Sequence, residues 1–130
     1  MTPQREEAER FMRLARRDEA AFRALLVSAA VDFPVACFHA QQSVEKALKA
    51  VMFLHGLEFR RTHDLEELSG TLMDAGVNIP LDGEELRRLT PYAVEFRYDD
   101  EPMPLVSPEQ AISYTSRMLA WADKALANFS

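Results

Sequence analysis

The stretch from Pro34 to His55 constrains this chain more than any other. Placed at about 100° per residue, Ala40, Val44, Ala47, Leu48, Val51 and Leu54 fall on one side of a helix and form an ordinary core stripe. On a peripheral helix the remaining arc would be freely charged. Here Val35, Phe38, Met52 and Phe53 bracket a polar strip of Gln42, Glu45, Lys46 and Lys49, with His39 at its edge. Only Ser43, Ala50 and, at the margin, His39 read as solvated. A helix that is apolar on one side and half-apolar on the other is central to its fold. Either other helices surround it, or a partner covers its second face.

The rest of the chain supplies helices to pack against it. Phe11, Leu14, Asp18, Phe22, Leu25 and Ala29 recur at spacings of three and four, which predicts one amphipathic helix from Glu6 to about Ala30, with a bend at Asp18. Arg10, Arg13, Arg16, Arg17 and Arg23 alternate with Glu6, Glu7, Glu9 and Glu19 along it, the pattern of a solvated face laced with ion pairs rather than of a nucleic-acid arm. Asp32-Phe33-Pro34 marks the start of the second helix and Gly56 its end. Thr62-His63-Asp64 opens a third helix that closes at Gly76. Asp82 caps a fourth, with Glu84 and Glu85 in its first turn, a stripe of Leu86, Leu89, Ala93 and Phe96, and a kink at Pro91. The acidic stretch Asp99 to Pro104 reads as a loop. Ser107-Pro108-Glu109-Gln110 is a capping box for the last helix, which carries Ala111, Tyr114, Met118, Trp121 and Leu126. The expected fold class is all-α, an up-and-down bundle of four to five helices in a single domain over residues 1–130.

Composition narrows the function classes. A formal charge of −6 gives no default affinity for nucleic acid, although Lys46, Lys49, Arg60, Arg61 and Arg97 supply local positive charge for an anion. One cysteine, Cys37, excludes an internal disulfide framework, and its place beside the apolar stripe makes it a small core residue. The charged opening residues and the lack of a long apolar run predict no secretory signal, no membrane span and a cytoplasmic protein. The three histidines, His39, His55 and His63, make no Glu-x-x-His or His-Glu-x-x-His pattern, so no metal or cofactor is expected. No glycine-rich phosphate loop occurs. His55 reads as a residue interacting with free carbonyls at the helix end.

Two readings of the polar strip stand at this point. Glu45 and Lys49, spaced i,i+4 with the acid first, are set among apolar residues and are either members of a satisfied network that fixes helix register or parts of a ligand site or subunit interface. Arg97, at a predicted helix end, either pairs with Glu45, Glu95 or Asp99 or receives a phosphate.

The segments Phe38-His39-Ala40-Gln41-Gln42-Ser43-Val44-Glu45-Lys46-Ala47-Leu48-Lys49-Ala50, Thr62-His63-Asp64-Leu65, Thr90-Pro91-Tyr92 and Phe96-Arg97-Tyr98 together resemble the HEPN family of helical, nucleotide-binding-type domains. The resemblance spans nearly the whole chain in the right order. It implies a helical bundle in which the strip of the second helix, His63 and Arg97-Tyr98 come together, giving Gln42, Glu45, Lys46, Lys49, His63, Arg97 and Tyr98 as ligand-binding residues. It also implies a homodimer, a minimal nucleotidyltransferase partner in a toxin–antitoxin-like pair, and a nucleotide or RNA ligand. Active members are ribonucleases whose motif is an Arg, a short spacer and a His. This sequence departs from that motif: no histidine follows Arg97, and Asp99, Asp100 and Glu101 would repel an RNA backbone. The expectation is a non-catalytic binding or interaction module. The alternative is a metal-independent ribonuclease with a rearranged site built on Arg97 and His63.

Overall fold

The computed structural model describes residues 2–93 and 105–129. Among these, every regular element is helical: α1 (Pro3–Leu26), α2 (Phe33–Leu54), α3 (Leu65–Asp74), α4 (Gly83–Leu89) running into a 3₁₀ turn (Thr90–Ala93), and α5 (Pro108–Asn128).

Local chemistry sets most of the boundaries. Asp64 accepts hydrogen bonds from the backbone N–H groups of Glu66 and Glu67 at the start of α3. Asp82 with Glu85, and Ser107 with Gln110, form reciprocal capping boxes at α4 and α5. Gly56 (φ 64°) and Gly76 (φ 84°) end α2 and α3 in the left-handed conformation that glycine adopts without a Cβ penalty. In both, the two following-turn amides fold back onto carbonyls of the last turn, as in Leu57 N–H to Met52 and Val77 N–H to Leu72, each at 3.0 Å.

Two boundaries differ from expectation. The first helix stops at Leu26 rather than about Ala30, since the six residues from Val27 to Asp32 must turn the chain back along α1. Pro91 does not kink a continuing α-helix; α4 gives way at Thr90 to the 3₁₀ turn, because proline supplies no N–H to continue the α pattern. Phe96, assigned to that stripe, and the Asp99–Pro104 loop lie outside the described residues. As expected, α1 passes through Asp18 as one helix, of 24 residues. Its inward face also centres on Ala8, Met12, Ala15 and Phe22, with Phe11 and Leu25 at the flanks.

Helix α2 is the axis of the molecule, with thirteen of its 22 residues buried. α1 runs antiparallel to it: Phe11 stacks on Phe53 with ring centroids 5.1 Å apart, and Ser43 donates to the Ala15 carbonyl at 2.8 Å. α5 also runs against α1, with Arg5 donating to the Phe129 carbonyl, Arg16 paired with Asp123 and Arg23 donating to Ser116. Of the two explanations for a doubly apolar α2, the surrounding helices are thus realised within one chain. Ser43 and Ala50, expected in solvent, are fully buried beneath this layer. Small residues there let α1 approach closely, and the one hydroxyl among them is satisfied by a backbone carbonyl. Cys37 is buried as expected, and burial pushes its thiol from an ordinary 9.0 up to about 12. At the end of α2 the His55 ring packs edge-on against Phe129, 5.2 Å between centroids, rather than bonding to free carbonyls.

Candidate functional site

The polar strip of α2 divides around two carboxylates, each holding one lysine and one histidine. Glu45, only 4% exposed, is the deeper. Its Oε2 accepts from Lys49 Nζ at 2.9 Å, the i,i+4 pair anticipated from spacing. Its Oε1 accepts from His63 Nδ1 at 2.8 Å and from Gln41 Nε2 at 3.2 Å. Gln41 Nε2 also donates to the His63 carbonyl at 3.1 Å, while Gln41 Oε1 accepts from Gln42 Nε2 at 2.7 Å. The network therefore ties α2 to the loop that leads into α3. Every donor around Glu45 has a use, as a carboxylate taken out of water requires.

The second carboxylate, Asp18 of α1, accepts from His39 Nδ1 at 3.0 Å and forms an ion pair with Lys46. The apolar-stripe position of Asp18 is explained by this: it faces α2 because a lysine and a histidine of α2 face it. Lys46 thus belongs to the α1–α2 seam and not to the Glu45 network. His39, read as marginally solvated, is half-buried in the same seam.

Of the predicted ligand-binding set, the structure brings together Gln42, Glu45, Lys49 and His63, with Lys46 engaged on Asp18. Arg97 and Tyr98 lie outside the described residues. Gln41 escaped the sequence reading as a site residue. Its signal was available: it stands i,i+3 and i,i+7 from Val44 and Leu48 on the apolar arc and i,i+4 from Glu45, where a polar side chain needs a partner.

The rim of the Glu45 network is aromatic. The Lys49 ammonium lies 5.6 Å from the Phe59 ring centroid, and Phe59 packs edge-on against Phe53 at 5.6 Å. Arg60 makes a bidentate pair with Glu67, donating from Nε to one oxygen at 2.8 Å and from Nη2 to the other at 2.6 Å, which engages one of the cations counted on for anion binding. Lys49 is 13% exposed and His63 56%, so His63 is the part of the network most open to solvent. With Nδ1 committed to Glu45, its Nε2 makes no hydrogen bond among the described residues.

A family model for the HEPN domain matches residues 5–125. The chain belongs to the HEPN domain family. A crystal structure of an archaeal HEPN homologue is similar to this HEPN domain at 21% sequence identity, covering 95% of this chain and 94% of the other, with a TM-score of 0.46. No curated protein matches the chain. Among the described residues of this HEPN domain, no group of three or more His, Cys, Asp and Glu side chains is placed to hold a metal ion, and no helix is long and apolar enough to cross a membrane.

Proposed function

We propose that this HEPN domain is a non-catalytic binding and interaction module. In this reading it is a homodimer, and it takes a nucleotide or other polyanion at the Gln42–Glu45–Lys49–His63 face, or a minimal nucleotidyltransferase partner in a two-component, toxin–antitoxin-like system. The observation that carries the reading is the Glu45 network: a buried carboxylate holds both the largely covered Lys49, beside the Phe59 ring, and the exposed His63. Glu45 already neutralises Lys49, so an arriving phosphate competes with an internal partner. Binding is then modest and strongly weakened by salt. The proposed ligand set also includes Lys46, Arg97 and Tyr98.

Thermal denaturation with ATP and with short single-stranded RNA tests it. A rise in melting temperature that Lys49→Ala and Arg97→Ala abolish is the expected result. Absence of any shift with either ligand would remove the polyanion, leaving the protein partner as the surviving form.

One feature favours a second reading, a metal-independent ribonuclease with a rearranged site. A carboxylate orienting one nitrogen of an exposed histidine, as Glu45 does for His63, leaves the other nitrogen available as a general base. Incubation with single-stranded RNA in a chelator separates the two. Cleavage lost in both His63→Ala and Arg97→Ala would replace the binding module with the enzyme.

A further inference from the structure

Along α3 and α4, charge and shape coincide. Thr62 to Leu86 carries seven carboxylates and no lysine or arginine, so the formal charge of −6 resides in this stretch and the rest of the chain is slightly positive. The stretch builds α3, α4 and the loop between them. Between the two helices runs an open groove of about 610 Å³, walled by Gly70, Met73, Ile79, Pro80, Leu81 and Leu86 and edged by Glu66, Asp82 and Glu85.

Two features of the groove are not accounted for by the packing of this chain. Met73 leaves 61% of its surface in water at the groove's edge. Gly70 sits inside α3, where glycine is the worst non-proline helix former, yet a Cβ placed there would meet nothing within 4 Å. Neither a tight contact nor a left-handed backbone requires it. Its effect is to leave the groove wall bare, so that another chain can lie directly against the α3 backbone.

The acids dictate what that chain is. Asp74 and Asp82 make no direct ion pair among the described residues, Asp82 capping α4 and attracted at longer range by Arg88, while Glu66 and Glu85 are held by the surface arginines Arg87 (3.3 Å) and Arg117 (2.7 Å). The exposed Glu66–Arg87 pair contributes little and exchanges readily for an incoming cation, while Arg117, which also donates to the Pro80 carbonyl, holds Glu85 more firmly. We infer that the α3–α4 groove is a docking site for a basic amphipathic helical segment of a partner protein, whose apolar side covers Met73, Ile79 and Leu86 and whose lysines or arginines meet Glu66, Asp82 and Glu85. The inference rests on the interaction-module reading for the existence of a partner, but it uses none of the residues of the polar strip.

A fluorescent peptide with leucines at i, i+3, i+4 and i+7 and lysines elsewhere serves as the probe, with its glutamate-for-lysine analogue as control. The lysine peptide binds the full chain, the glutamate analogue does not, and amide chemical-shift changes concentrate between residues 66 and 86. Gly70→Leu, which fills the groove at constant charge, and Met73→Gln, which removes its apolar edge, each weaken binding about tenfold or more. Lys49→Ala leaves it unchanged. Equal binding by wild type and Gly70→Leu, or shift changes spread over other faces, overturns the groove. So does a wild-type dimer that Gly70→Leu converts to monomer without altering peptide binding, which would make the occupant a second copy. A nucleotide shift lost in Lys49→Ala stands or falls separately, so the two readings fail distinguishably.

Discussion

Glu45 and Asp18 are surrounded by the same residue types, one lysine and one histidine each, yet the two sites do different work in the fold. Asp18 joins two antiparallel helices that are already held together along their length by Ala15, Phe22, Ala40 and Leu48, and its partners His39 and Lys46 both come from α2. Glu45 joins α2 to a loop. Its third donor, Gln41, also grips the His63 backbone, so the network sets where α3 begins. Glu45 is also the more deeply buried: its side chain keeps 5% of its exposure and that of Asp18 14%. The difference teaches that the worth of a buried carboxylate depends on what else holds its partners in place. Where packing already does so, the ion pair is a local clip; where it does not, the pair organises the chain.

The largest test of that contrast is to delete each acid. Glu45→Ala strands Lys49 and Gln41 in a dry site and is expected to cost about 3 kcal/mol, within the range for breaking a buried pair, whereas Asp18→Ala costs about 1 kcal/mol because Lys46 and His39 reach water. Urea titration reads both. Equal losses would erase the distinction. Chemical shifts of the residues 60–66 loop should move in the first variant and stay in place in the second.

The apolar side of α2 gives the next effect. Cys37 carries a neutral thiol whose pKa stands at about 12 in the fold against an ordinary 9.0, so its contribution is complete below pH 9 and is lost as pH rises toward 12. Burial raises the Tyr92 hydroxyl in the same direction. Stability is expected to fall by up to about 1.4 kcal/mol per pH unit above 9, and Cys37→Ala to flatten that slope at the cost of a small cavity. A slope unchanged by the substitution would move the alkaline sensitivity elsewhere. Native protein should also resist thiol alkylation at neutral pH, as a buried and undissociated cysteine does.

The smallest effect concerns the second pole of the molecule, the α3–α4 face. Gly70→Ala adds a methyl group to open space in a helix and should raise stability by about 0.5–1 kcal/mol. A loss of stability would mean that the wall of the groove is already occupied by this chain.

Much of this was legible along the chain. Asp64, Asp82 and Ser107 act on amides two or three residues away, and Gly56 and Gly76 on the turn they terminate, so their roles need nothing beyond neighbouring residues. The Glu45–Lys49 pair follows from helical spacing for the same reason. The division of the strip was not legible. Lys46 turns to Asp18, 28 positions earlier, and Gln41 to the carbonyl of His63, 22 positions later. Ser43 and Ala50 went astray for a related cause: periodicity tells which residues share an arc, while the number of helices facing that arc depends on how the chain returns.

By itself the sequence determined that this protein is helical, where most of its helices start and stop, and that its second helix lies at the centre. Those outcomes rest on hydrogen bonds closed within one turn and on the alternation of apolar and polar residues, both properties of short stretches. Only the tertiary structure decided which carboxylate each lysine meets, that small residues of α2 lie beneath α1, and that a glycine of α3 lines an open groove. Each of these depends on two distant segments arriving at one place, where the cost of an unpaired charge or an empty space is first felt.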